Sequence, residues 1–218
     1  MDFITSKIFK DGSVAHGFSI GPTTIEEAAN ESGIKNPFFI KHDQIHSDKI
    51  VLLSTINDKR SAVVKADAFI STTPGIICYI RTADCVPILL HDPVKKIVAA
   101  VHAGWKGTAQ KITLKTIDYF VKELGSKPQD IRAAIGPAIL GKCYEIGQDV
   151  ADEFAANGIH LKEKDRVDTQ ELNRTQLAEA GVDKIEIARI CTHCDDRFIS
   201  FRRDKEDARR QVNFIALV

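Results

Sequence analysis

The chain has 218 residues and a mass of 24.1 kDa, enough for one domain with a substantial core. Hydrophobic residues make up 44% and charged residues 28%, with a mean hydropathy of −0.13, which excludes a largely disordered chain. Lys plus Arg number 30 and Asp plus Glu number 30, so no global positive charge is available for nucleic acid, and nucleic acid is not an expected partner.

No run reaches the roughly 18 apolar residues that a membrane span needs. The start, MDFITSKIFKDGS, lacks an apolar stretch followed by a small-residue cleavage site, so it does not read as a secretory signal. Five cysteines are an odd number in a mid-sized chain, which argues against a disulfide framework and for a reduced, cytoplasmic setting. Without a repeat, low-complexity tract or long linker, a single domain over residues 1–218 is expected.

The first elements expected are a strand at Ile4–Lys10 and a short helix at Glu26–Asn30 capped by Thr23 or Thr24. Strands at Pro37–Lys41 and Lys49–Ser54 flank the segment His42–His46. Ala68–Ser71, Ile76–Ile80 and Pro87–His91 read as short strands. Lys96–Ala103 pairs with the last of these as an antiparallel hairpin across the Asp92-Pro93 turn. Gly104–Thr108 opens a helix running to Leu124, with Ile112, Ile117, Phe120, Val121 and Leu124 on its apolar face and Gly125 as its stop. Ile131–Ile135 is a strand, Gly147–Ala156 and Thr169–Ala180 are helices, and Ile185–Ile190, Phe198–Arg202 and Val212–Leu217 complete the strands. Hairpin-like neighbours mixed with helices favour an α+β fold with a mixed sheet over a doubly wound parallel one.

Three segments place ligand-type residues at element ends: Gln44-Ile45-His46, Thr82-Ala83-Asp84-Cys85, and Val101-His102-Ala103-Gly104-Trp105. Cys85 begins one arm of the hairpin and His102 ends the other, so the two lie close across the strands. Spacing does not bring His46 to them. One Cys and two His are three protein ligands, the pattern of a catalytic zinc with an open position. The same Cys85 and His102 also read as a thiol nucleophile and its base, oriented by Asp84, Asp67 or Asp43. A blue-copper set is the third reading, but its axial Met is missing because Met1 is the only methionine. Seven His are also too few for several copper centres. The plain alternative is a core cysteine and a hydrogen-bonded histidine.

Cys191-Thr192-His193-Cys194 has no second CxxC to complete a four-cysteine site, so a structural or incidental role is the simpler reading. His193 would need a tight turn to reach the same ion. Lys106, at a helix start, and Arg202, beside Arg203, are candidate anion contacts. Gly136-Pro137 and Tyr144-Glu145 read as turn and cap residues.

Together these segments are more specific than any one alone. Gln44-Ile-His46, Ala66-Asp67-Ala68, Thr82-Ala-Asp-Cys85 with Pro87, and Val101-His-Ala-Gly-Trp-Lys-Gly107 stand in order. They are followed by Ile135-Gly-Pro-Ala-Ile139, Tyr144-Glu-Ile-Gly147, Asn173 with Gln176-Leu177, Gly181-Val182, Cys191-Thr192 and Phe198-Ile-Ser-Phe-Arg-Arg203. This set, covering about residues 40–204, resembles the YfiH family, the polyphenol oxidase/laccase-domain group. The resemblance implies mixed sheets in a sandwich-like core flanked by helices, and a zinc held by His46, Cys85 and His102, with copper the lesser option. It implies phosphorolysis of adenosine, inosine, guanosine or methylthioadenosine with inorganic phosphate, and deamination of adenosine. The polyphenol oxidase label and a link to peptidoglycan composition belong to the same group. One departure is visible: His16-Gly17-Phe18-Ser19 is followed by Ile20-Gly21-Pro22, where the family carries an Arg. Lys106, Arg81 or Arg202 are the substitutes on hand.

Overall fold

The computed structural model describes residues 2–53, 63–205 and 209–218. In chain order the elements are β1 (Phe3–Ile4), β2 (Val14–Ser19), α1 (Ile25–Glu31), β3 (His42–Asp43), β4 (Ile50–Leu53), β5 (Val64–Lys65) and β6 (Ala68–Ser71). Then come β7 (Cys78–Thr82), β8 (Val86–Asp92), β9 (Ile97–Ala103), α2 (Trp105–Ala109), α3 (Ile112–Lys122), β10 (Arg132–Ile135), α4 (Gln148–Ala156), α5 (Thr169–Glu179), β11 (Lys184–Ile187), α6 (Phe201–Asp204) and β12 (Gln211–Leu217).

A six-stranded mixed sheet has the order β11-β10-β8-β9-β6-β4, and a four-stranded sheet has the order β1-β2-β12-β7. The larger sheet is buried on both faces, and the two-residue period of a strand sorts its side chains. Ile88, Leu90, Ile97, Ala99 and Val101 face Ile112, Ile117 and Phe120 of α3 and Leu177 of α5. Leu89, Val98 and Ala100 face Phe18, Ile80 and Ile215 of the smaller sheet. Burial on both sides is why β8 and β9 read as unbroken apolar runs rather than as alternation. The smaller sheet turns Tyr79, Val212, Phe214 and Ala216 toward Ile25, Ala28 and Ala29 of α1. The result is an α+β sandwich of two sheets with helices on both outer faces, as expected. Among the described residues no helix is long and apolar enough to cross a membrane.

Several elements depart from expectation. The first strand stops at Ile4, and Lys7–Phe9 form a 3-10 turn capped by Ser6. Pro37–Lys41 is not a strand but makes one bridge, Phe38 to Ile76, while the expected connection supplies β3. Ser54, the end of an expected strand, lies outside the described residues. The long helix after Gly104 is two helices, because Lys111 takes a left-handed backbone (φ 61). No Gly or Pro marks that break. A buried polar cluster accompanies it: Asn173 donates to Thr108 Oγ1 (2.9 Å) and accepts from Thr113 Oγ1, and Gln176 donates to the Thr108 carbonyl (2.9 Å). These bonds fasten α2 and α3 to α5. Phe198–Arg202 is no strand either; Ser200 caps α6 by accepting from the Arg203 N–H.

Candidate functional site

The hairpin of β8 and β9 sets the first two residues. Its antiparallel register pairs Pro87 with His102 and Val86 with Ala103, so Cys85, one residue before β8, comes to the end of β9. Asp84 tips the chain there with a left-handed backbone (φ 82). Its carboxylate accepts from Thr192 Oγ1 (2.6 Å), Ser200 Oγ (3.0 Å) and the Arg202 N–H (2.7 Å). Asp84 is therefore a buried clamp joining three distant segments, and these donors occupy its oxygens.

The tertiary structure brings in His46. Asp67, fully buried before β6, gathers the 45–47 loop by accepting the N–H groups of Ile45 (3.3 Å), His46 (3.0 Å) and Ser47 (2.7 Å) and the Ser47 hydroxyl (2.8 Å). The same carboxylate accepts from His102 Nδ1 (2.8 Å). An ionised carboxylate only accepts, so Nδ1 carries a proton and Nε2 faces the Cys85 thiol. One ligand atom from each of His46, Cys85 and His102 lies within 4.8 Å of the others. His46 holds a left-handed backbone (φ 56), and its ring stands edge-on to that of His102 at 4.9 Å. Gly104 makes room: a Cβ there would sit 3.1 Å from Cys85 Sγ and 3.2 Å from His46 Cδ2.

Electrostatics follow from this packing. Burial alone pushes the Cys85 thiol up, but the His102 and His46 rings outweigh it and hold the thiol below its ordinary range. Burial pushes His102 down, and the charges of Cys85 and Asp67 more than reverse that. Burial would also raise Asp67, yet its bonds from His102 and Ser47 keep it ionised.

The cluster lies where two cavities meet. The larger, of about 670 Å³, has a cationic wall of Lys65, Arg81 and Arg210. The smaller, of about 290 Å³, has an aromatic wall of Trp105, Tyr144 and Phe201 with Arg202. Both include His46 and Cys85 in their lining. The larger volume falls within the roughly 300–1,000 Å³ of small-molecule sites.

The other sequence candidates are placed as follows. Gln44 exchanges two hydrogen bonds with the backbone of Arg81 (2.8 and 2.7 Å), pinning the 44–46 segment to β7. Arg81 also donates to the His42 carbonyl (2.9 Å). Arg202 lies over the Tyr144 ring at 5.2 Å and donates to the Glu145 carbonyl (2.8 Å). Lys106 lies 5.4 Å over the Trp105 ring and lines neither cavity. Asp43 is exposed and lines the larger cavity, leaving the orienting position to Asp67. Tyr144, read as a turn residue, is a cavity wall. Lys65 and Arg210 had no signal in the sequence beyond their charge. Thr23, just past the segment that lacks the family's Arg, donates to the Arg210 carbonyl (3.2 Å).

A second group also forms. Cys143, His193 and Cys194 place one ligand atom each within 4.8 Å of one another, with Cys143 Sγ and Cys194 Sγ 3.3 Å apart. Cys143 is 51 positions from Cys194, which is why spacing did not reveal it.

The chain is similar to proteins of known family. A family model described as multi-copper polyphenol oxidoreductase laccase matches residues 23–218. A protein of Clostridium acetobutylicum named purine nucleoside phosphorylase is 34% identical over 210 residues, covering 92% of this chain and 87% of the relative. One of Deinococcus radiodurans with the same name is 36% identical over 184 residues, covering 82% and 70%. Among solved structures, YfiH of Bacillus licheniformis superposes with a TM-score of 0.84 at 28% identity, covering 96% of this chain and 94% of that one. YlmD of Geobacillus stearothermophilus gives 0.84 at 25%, covering 97% and 94%.

Proposed function

This chain belongs to the multi-copper polyphenol oxidoreductase laccase family, the group that contains the YfiH proteins, and on that premise we propose that it is a metal-dependent purine nucleoside phosphorylase. The observation that carries the reading is the convergence of His46, Cys85 and His102 at the junction of a cationic and an aromatic cavity.

The donor set fits zinc. One thiol and two imidazoles converge, the buried His102 is oriented by the carboxylate of Asp67, and the exposed side of the cluster opens to the cavities. Copper suits the set less well, since no methionine stands among the described residues to offer an axial thioether. Bound there, zinc would supply a Lewis acid that polarises an oxygen of phosphate or water.

The chain's own residues do the rest. Lys65, Arg81 and Arg210 neutralise phosphate in the larger cavity, taking the part of the absent family Arg. Trp105, Tyr144 and Phe201 stack the purine, and Arg202, held over the Tyr144 ring, contacts the nucleoside. In phosphorolysis a phosphate oxygen bonds to ribose C1′ as the C1′–N9 bond breaks, and the purine leaves with a proton. Adenosine deamination in the same site adds water at C6 and releases ammonia. The whole of residues 1–218 forms the single unit that carries this site, and the protein works in the cytoplasm.

A second reading rests on one observation: Asp67, His102 and Cys85 stand in line with the thiol lowered, as in a thiol hydrolase. One experiment separates them. Adenosine and phosphate are incubated with the protein, with Cys85→Ala, and with chelator-treated protein, and ribose 1-phosphate and purine are assayed beside metal content. Chelator-sensitive purine release, lost in Cys85→Ala together with one equivalent of zinc, supports the phosphorylase. Turnover by zinc-free Cys85→Ala would sink it. Ester or amide hydrolysis that survives the chelator but not alkylation would favour the thiol enzyme. A metal that only raises the melting temperature would leave a scaffold.

A further inference from the structure

We propose that Cys143, His193 and Cys194 form a second metal site, for a thiophilic divalent cation of the zinc class, separate from the His46–Cys85–His102 cluster. Two thiols and an imidazole converge there from two segments. Cys143 closes the 3-10 turn Gly141–Cys143, and His193 and Cys194 lie in the turn that follows Cys191. The two thiols share a hydrogen bond with their sulfurs 3.3 Å apart and form no disulfide. Zn–S bonds of about 2.3 Å in a tetrahedron put two sulfurs about 3.8 Å apart, so a small adjustment seats the ion. Cys143 and His193 are half-buried and Cys194 is exposed, which leaves a route in.

The backbone holds these groups in place. Thr192 N–H donates to the Ala138 carbonyl (3.1 Å) and Ala138 N–H to that of Ile190 (3.2 Å). Cys194 and Asp195 N–H groups close the turn on the Cys191 carbonyl (3.2 and 3.1 Å). Arg203 donates to the carbonyls of Thr192 (3.1 Å) and His193 (3.2 Å). The Cys191 sulfur, beside the cluster, accepts from the Leu140 N–H (3.5 Å). Thiolate and imidazole donors of this kind make structural zinc sites.

The site would staple two walls of the cavities. Tyr144 follows Cys143 directly and lines the smaller cavity. Thr192, between Cys191 and His193, holds Asp84 and so the backbone that presents Cys85. A cation bridging positions 143 and 194 adds a tie to the backbone pairing and the Leu140–Cys191 contact that already join the two segments.

The test removes the first cluster before counting. Reduced, metal-free Cys85→Ala and the double variant Cys85→Ala/Cys194→Ser are titrated with zinc against a chromophoric chelator and with Co²⁺, read by sulfur-to-cobalt absorption. Cys85→Ala is expected to bind one equivalent, with thiolate-to-cobalt bands and a raised melting temperature, and the double variant to lose all three. The exposed position of Cys194 makes its serine variant the one that folds; equal metal-free melting temperatures check this. Equal binding by the two proteins, no binding by Cys85→Ala, or a Cys143–Cys194 disulfide persisting in protein isolated with zinc would each overturn the proposal. Failure of the phosphorylase reading would leave this titration unchanged.

Discussion

Asp67 accepts from His102 Nδ1 at 2.8 Å and, through the same oxygen, from the His46 N–H at 3.0 Å. One carboxylate thus aligns two proposed metal ligands that come from opposite ends of the site. Asp67→Asn keeps the volume but replaces an acceptor with a donor facing donors. Zinc affinity is expected to fall by about 10–100-fold. Competitive titration measures it, and affinity equal to that of the parent would reject the role.

Gly104 lies against the cluster with no left-handed requirement (φ −67), so its importance there is space alone. Gly104→Ala places a methyl 3.1 Å from Cys85 Sγ and 3.2 Å from His46 Cδ2, tighter than ordinary contact. The expected outcome is weaker zinc binding and lower turnover with little change in the metal-free melting temperature. A large drop in that temperature with zinc affinity intact would show that the glycine serves packing instead.

Asp84 ties residues 192, 200 and 202 to the turn that presents Cys85. Asp84→Asn tolerates the left-handed backbone, so it isolates the charge. Two of the donors that Asp84 satisfies are buried hydroxyls, and the variant is expected to lose about 2–4 kcal/mol of stability by urea unfolding. Thr192→Val, which removes one bond, is expected to cost about 1–2 kcal/mol. Equal losses would mean that the clamp does not work as a unit.

His42 and His91 give the pH dependence. Burial pushes each down to about 4; among the described residues His42 Nε2 and both His91 ring nitrogens have no hydrogen-bond partner. Arg81 opposes the charged form of His42, while Asp43 and Asp67 favour it; Asp11 and Asp92 favour that of His91, while Arg132 and His16 oppose it. Because the folded pKa lies below the unfolded value near 6.5, the unfolded chain takes up protons first as pH falls. Stability is therefore expected to drop between about pH 6.5 and 4, by about 3 kcal/mol at most for each histidine. Urea midpoints across that range measure it. His91→Phe should flatten the slope, and an unchanged slope would assign the loss elsewhere.

The chain's own pattern determined a good deal. Apolar runs bounded by turn residues set β6, β8, β9 and β12, because strands buried on both faces need nothing else. Thr24 and Gly125 bounded α1 and α3 through local backbone chemistry. The hairpin alone brought Cys85 to His102, since antiparallel pairing turns sequence distance into contact. Tertiary structure decided the rest. The break at Lys111 accompanies hydrogen bonds to α5, and no local residue announces it. His46 reaches its partners through Asp67 and the Gln44–Arg81 bonds, and Cys143 reaches His193 and Cys194 through pairing of its segment with residues 190–192. Local propensity acts over a few residues. A site assembled by buried carboxylates and paired backbones from four distant segments exists only once the sheets have packed.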